Sequence, residues 1–235
     1  MRDSVSAGRS CWPTAGSRTS ASSAPGPAPA GTGCRTSSCD LAVYGPDLAD
    51  GMPAFIVGGP AKSGRSCVLV AMARSFLASG AQLIVVAPRP SPLRALGGLP
   101  GVVRVFDGTG LPAGEFAAAA GEFSGPGVVV IDDAEVLREC DAAEELKKLI
   151  AFGGDQRRAL VFGGNSEDLC AGFGGWQVEA RRARRGCLLS PQQITDGDLI
   201  GTRLQRSLIG EPVRPGRALL NTGDGNLVTV AVPLD

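Results

Sequence analysis

The run AFIVGGPAKSGRSCVLVAMARSFLASG, residues 54–80, constrains the fold more than any other part of the chain. Its first six residues, Ala54–Gly59, are apolar and end in two glycines, the pattern of a buried strand feeding a loop. From Ser66 the period changes: Val68, Leu69, Met72, Phe76 and Leu77 recur at helical spacing until Gly80 closes the run. Between strand and helix lies the spacing G-x-x-x-x-G-x-[ST], from Gly59 through Gly64 to Ser66. A loop of this kind holds phosphate because its glycines let successive backbone N–H groups point inward, at the positive end of the following helix. One residue departs from the pattern: Arg65 stands where lysine is usual. It keeps the charge, but its planar fork is longer and more demanding in geometry than an ammonium group. Lys62, inside the loop, offers a second cation from another direction.

A nucleotide site built on such a loop needs an acid at the end of a neighbouring buried strand. GVVVIDDAE, Gly127–Glu135, supplies it. Ser66 is expected to offer its hydroxyl to Mg²⁺, and Asp132 to hold the same ion through water or through Ser66. Asp133 takes the following, catalytic position, where a hydrolysing enzyme usually has glutamate. Being one methylene shorter, it reaches an attacking water less well. Arg65 and Asp133 both weaken transition-state stabilisation more than ground-state binding, which separates a nucleotide sensor from an ATPase.

The remaining pattern is α/β. QLIVVAP (82–88), VVRVFDG (102–108) and RALVFGG (158–164) read as further strands. EFAAAAGEF (115–123) and AAEELKKLIAFG (142–153) read as helices, the second amphipathic with Lys147 and Lys148 on its exposed side. Apolar strands alternating with helices predict a mainly parallel sheet covered on both faces. After Gly186, GCLLSP and then RALLNTGDGNLVTVAVP predict a closing β-hairpin.

Composition narrows the function. Of 235 residues, 23 are basic and 23 acidic, so no net charge draws the chain to nucleic acid or a membrane surface. Histidine is absent, which removes a His-based triad and most zinc sites. Seven cysteines without a CxxC pair read as thiols in a reducing compartment, and no apolar run is long enough for a membrane span, so the cytoplasm is the expected location. Residues 1–43, rich in Ser, Ala, Gly and Pro without periodicity, are expected to be disordered, and residues 44–235 to form one domain.

Several stretches together resemble the FtsK/SpoIIIE family of P-loop ATPases. They are GPDLADG, FIVGGPAKSGRSCVLVAMARSFLASG, VVAPRPSPLRAL, VVVIDDAEVL, and NSEDLCAGFGGWQVEARRARRGCLLSP followed by DGDLIGTRL. Within that family the chain is most similar to the degenerate C-terminal ATPase module of EccC-like type VII secretion proteins. The resemblance implies a RecA-like P-loop NTPase core and a place in a ring-forming translocase of DNA or protein. It further implies ATP and Mg²⁺ as cofactors, with other ATPase modules, and an export-signal peptide or DNA, as partners. Carried over by position, Gly59, Lys62, Ser63, Gly64, Arg65 and Ser66 line the nucleotide loop, and Asn165 matches the polar residue that senses the terminal phosphate. Full-length relatives have a membrane-anchored part and more than one ATPase module, so a single module is expected to be a fragment, a truncated product or a stand-alone relative.

Three functions remain open: a nucleotide-binding module with weak or no hydrolysis, an active ATPase motor, and an interaction module that binds no nucleotide. Arg181, Arg182, Arg184 and Arg185 read as a solvated helix face, or alternatively as an arginine finger or a DNA-phosphate contact. Trp176 is expected in the core, and Cys67 as a small buried residue.

Overall fold

The computed structural model describes residues 53–232, except 173, 211, 214, 215, 222, 224 and 226. The expected N-terminal disorder, and the segment GPDLADG, lie outside the described residues.

Eight strands form one sheet. In chain order they are β1 (Ala54–Gly59), β2 (Gln82–Val86), β3 (Val102–Phe106), β4 (Gly127–Ile131), β5 (Arg158–Asn165), β6 (Gly186–Leu188), β7 (Arg217–Asn221) and β8 (Leu227–Ala231). Across the sheet the order is β3-β2-β4-β5-β1-β6-β7-β8. All pairings from β3 to β6 are parallel, whereas β6–β7 and β7–β8 are antiparallel. The RecA-like α/β core and the C-terminal hairpin read from the sequence are both present. Between them β6 joins the two regimes, running parallel to β1 on one side and antiparallel to β7 on the other.

The central strands are apolar without alternation because both faces are buried. Phe55 and Val57 of β1, Val128 and Val130 of β4, and Ala159 and Val161 of β5 lie in one core layer. Helix α1 (Arg65–Ala78) covers that layer with Val68, Leu69, Ala73 and Phe76. The intervening positions, Ala54 and Ile56, Val129 and Ile131, Leu160 and Phe162, fill the opposite layer. There they meet α2 (Ala113–Gly121), α3 (Ala143–Phe152) and α5 (Trp176–Arg181). Met72 and Leu77, expected on the buried stripe of α1, are only half-buried.

Trp176 anchors the second layer, as its sequence context predicts. It is fully buried, its ring meets Phe162 edge-on at 5.1 Å, and its indole N–H donates to the carbonyl of Leu137 at 2.8 Å. That bond satisfies the one polar atom of the largest core side chain. On α3 the exposed lysines pair with acids one turn earlier, Lys147 with Glu144 and Lys148 with Glu145.

Two expectations change. Cys67 is exposed, not buried: it is the third residue of α1 and points away from the stripe formed by Val68 and Leu69. The four arginines do not share a helix face, because α5 ends at Arg181. Arg181 turns back to donate to the carbonyls of Cys170 and Gly172, Arg182 pairs with Glu179, and Arg184 sits in a left-handed turn at φ 52°. Arg185 leads into β6, its carbonyl accepting the Ile56 N–H.

Candidate functional site

The glycine loop lies at the C-terminal end of β1, the usual ligand-binding end of an open parallel sheet. Gly59 is there by necessity. A Cβ at that position would stand 2.6 Å from Ser63 Oγ and 2.8 Å from the Leu189 carbonyl, so any larger residue would push the loop away from the sheet. Gly64 precedes α1 with φ 95°, a left-handed conformation that turns the chain into the helix. Helix α1 begins at Arg65, one residue earlier than its hydrophobic period suggests. Lys62 occupies the outer turn of the loop, exposed and at φ 64°. Ser63 is buried, and its hydroxyl has no hydrogen-bond partner, a donor left over where the loop curls inward.

Ser66 and Asp132, singled out from the sequence 66 residues apart, meet directly. The Ser66 hydroxyl donates to Asp132 Oδ2 at 2.7 Å. The same oxygen accepts the Ser91 hydroxyl at 2.6 Å, while Oδ1 accepts the Asp133 backbone N–H at 3.1 Å. Asp132 is buried, at 2% exposure, so these donors replace the water its carboxylate gave up. The acid's strand is not the immediate neighbour of the loop's strand, as the sequence reading implied. Strand β5 lies between β1 and β4 and brings Asn165 to the tip between them. The Asn165 Oδ1 accepts the Glu167 N–H and caps α4 (Ser166–Cys170).

Arg65 folds inward. One guanidinium nitrogen donates to the Gly59 carbonyl at 2.9 Å, and another lies 3.5 Å from Asp133 Oδ1. The side chain is 13% exposed. Asp133 adopts φ 47° and ψ 48°, an uncommon region that aspartate tolerates better than most residues. Its Oδ1 also faces Arg89 at 3.8 Å. Arg89 makes a closer pair with Glu135 Oε1, at 3.2 Å, and Glu135 Oε2 accepts the Asn165 backbone N–H at 3.3 Å. Gly164 makes room for this, because a Cβ there would collide with Glu135 Oε2. Burial, reinforced by the adjacent Asp132, raises the Asp133 carboxyl above the ordinary aspartate value despite the two arginines. Glu135 is raised as well, mainly by burial.

The structure thus brings together Gly59, Ser63, Gly64, Arg65, Ser66, Asp132 and Asp133 at one end of the sheet, with Asn165 beside them and Lys62 outside. Sequence reasoning missed Ser91, Arg89 and Glu135. Ser91 carried a signal, since a serine before proline is a helix-start pattern, and its hydroxyl does accept the Leu93 N–H in the segment that follows. Glu135 stood in view in DDAE, but only the turn after β4 swings it toward β5. Nothing local marks Arg89.

Chemically the arrangement fits an anion and a hard divalent cation. The glycine cradle would hold phosphate, with the buried Ser63 hydroxyl and the start of α1 as donors. Ser66 and Asp132 would hold Mg²⁺, an ion that takes oxygen ligands and keeps several waters.

No protein-family model and no curated protein sequence matches the chain. Solved structures do. ATPases 2 and 3 of EccC from Thermomonospora curvata, in complex with a signal sequence peptide, superpose with TM-score 0.60 at 14% identity, over 79% of this chain and 37% of that one. The cytoplasmic domain of EssC gives TM-score 0.60 at 13% identity, over 77% of this chain and 39% of that one. The genome-packaging NTPase B204 of Sulfolobus turreted icosahedral virus 2, in complex with ATP-γ-S, gives 0.51 at 12%, over 77% and 99%. This chain therefore has the fold of the EccC and EssC ATPase domains, as its sequence resemblance implied, and spans less than two fifths of each of those two solved chains.

Proposed function

We propose that this chain is a degenerate FtsK/SpoIIIE-type nucleotide-binding module of a DNA or protein translocase, one that binds ATP and hydrolyses it weakly or not at all. The observation that carries the reading is the 2.7 Å bond between Ser66 and Asp132. Two residues from separate motifs converge where a nucleotide-bound Mg²⁺ would be shared, and a glycine cradle lies beside them. In this reading Mg²⁺ would neutralise phosphate charge. Ser66 and Asp132 orient the ion, the loop's N–H groups hold the phosphates, and Lys62 offers a cation from the outer turn.

Weak turnover follows from the neighbours. Arg65 is tied to the Gly59 carbonyl and to Asp133, so its charge is partly spent inside the protein. Asp133 faces two guanidinium groups and is poorly placed to take a proton from an attacking water. A module of this kind serves docking or regulation within an assembly of ATPase modules. The fold is shared with EccC and EssC and also with a genome-packaging NTPase, so it leaves protein and DNA transport both open. The signal sequence peptide bound by EccC makes an export-signal peptide the partner to test first. No helix among the described residues is long and apolar enough to cross a membrane. By its likeness to the cytoplasmic domain of EssC, we place the module on the cytoplasmic side of a membrane-bound complex.

Calorimetric titration with Mg-ATP tests the proposal. Binding that is lost in both Ser66→Ala and Asp132→Ala, with turnover near background, is the expected result. Brisk Mg²⁺-dependent hydrolysis abolished by Asp132→Ala would establish an active motor. A binding-silent chain would leave only the interaction module, a reading favoured by the inward fold of Arg65.

A further inference from the structure

Two arginines from distant parts of the chain converge on one carboxylate oxygen at the mouth of the site. Arg65 opens α1, and Arg89 follows β2. Asp133 Oδ1 lies 3.5 Å from one and 3.8 Å from the other. Both contacts are long for charged partners, which in a close pair approach to about 2.7–2.9 Å. The two cations differ in freedom. Arg65 is held by the Gly59 carbonyl and is nearly buried, whereas Arg89 is 56% exposed. The backbone at Asp133 leaves the favoured regions to bring its carboxylate between them.

A single carboxylate satisfies neither guanidinium well. A phosphate group has more oxygens, more charge and a size suited to two forks, so it would satisfy both. The place is right for one: Arg65 borders the glycine cradle, and Asp133 follows the residue that meets Ser66.

We propose that Arg65 and Arg89 form a two-guanidinium clamp for the terminal phosphate of a nucleotide, and that in the free chain the Asp133 carboxylate stands in for that phosphate. The proposal rests on the nucleotide reading of the same site. It adds Arg89 to the phosphate-binding residues. It also turns Asp133 from a residue expected to activate water into an internal competitor that lowers affinity until a phosphate displaces it. Glu135 then holds Arg89 in reach, through the 3.2 Å pair, when Asp133 leaves.

The test compares the full chain with Asp133→Asn, Arg89→Gln and the double variant, titrating each with Mg-ATP and separately with tripolyphosphate, which has no nucleoside. Asparagine tolerates the left-handed backbone at 133 and keeps the side-chain shape, and Asp133→Gly serves if it misfolds. Removing the competing charge is expected to tighten both ligands roughly fivefold to tenfold, and Arg89→Gln to cancel most of that gain. If Mg-ATP binds the wild type and Asp133→Asn equally, the stand-in is refuted while the nucleotide reading survives. A gain that persists in the double variant removes Arg89 from the clamp. If only tripolyphosphate binds, and binds more tightly to Asp133→Asn, the clamp stands as an anion site and the nucleotide reading falls. Failure of every variant to bind either ligand overturns both.

Discussion

The connection between the glycine loop and the strand-end acid can be measured as stability. Asp132 is buried, and its Oδ2 accepts hydroxyls from Ser66 at 2.7 Å and Ser91 at 2.6 Å. A hydrogen bond to a charged acceptor contributes about 1.5–3 kcal/mol, and alanine in a helix recovers about 0.5 kcal/mol over serine. Ser66→Ala should therefore cost about 1–2.5 kcal/mol. Ser91→Ala should cost about 2–3 kcal/mol, because Ser91 Oγ also accepts the Leu93 N–H at 3.2 Å. In each single variant the surviving serine still serves Oδ2. Removing both leaves that oxygen with no side-chain donor, so the double variant should exceed the sum by about 0.5–1 kcal/mol. In an Asp132→Asn background, where the acceptor is neutral, the cost of Ser66→Ala should fall to about 0.5 kcal/mol. Urea unfolding with an unchanged slope is the assay. Costs under about 0.5 kcal/mol for the singles, strict additivity, or equal costs in both backgrounds would refute the premise that the two serines solvate a buried charge.

Other expectations are independent of the site. Trp176→Ala should cost about 3–5 kcal/mol, since it empties the centre of one core layer and orphans the Leu137 carbonyl, and denaturant melts would show it. Lys147→Ala and Lys148→Ala should each change stability by less than about 0.5 kcal/mol, as exposed pairs one turn apart do. Alkylation followed by peptide mass spectrometry should find Cys67 modified in the native protein, and Cys140 and Cys187 protected until unfolding. Burial pushes the Cys187 thiol up to about 12 from its ordinary 9.0. The unfolded chain loses that proton first as pH rises, so stability falls above pH 9 by about 1.4 kcal/mol per pH unit from this group. Cys187→Ala should flatten that decline, and an unchanged slope would contradict it.

Much of this molecule is legible in one dimension. A run such as AFIVGG or GVVVI, apolar at every position, cannot be a half-exposed strand, so the parallel, doubly covered sheet follows from composition along short windows. The glycine loop is equally local: Gly59 and Gly64 are required by a turn of few residues, and the change of period at its end announces α1. The acids of DDAE could be assigned a role because a strand end is a position that sequence reveals.

What remained hidden depends on which segments lie side by side. That β5 separates the loop strand from the acid strand is a matter of crossover order, set by how the helices pack on each face and by no property of any one strand. Cys67 is exposed because α1 turns its stripe of Val68 and Leu69 to the sheet, a rotation of one position that periodicity alone leaves open. The fate of Arg65 was also undecided, since the same side chain reaches a phosphate or a carboxylate with equal chemistry. Only the tertiary structure set Asp133, Arg89 and the Gly59 carbonyl around it. Sequence determined which groups carry charge and where chains must turn, because these are properties of single residues and their near neighbours. Folding decided which charge meets which, because a few ångströms of separation between distant segments govern the outcome.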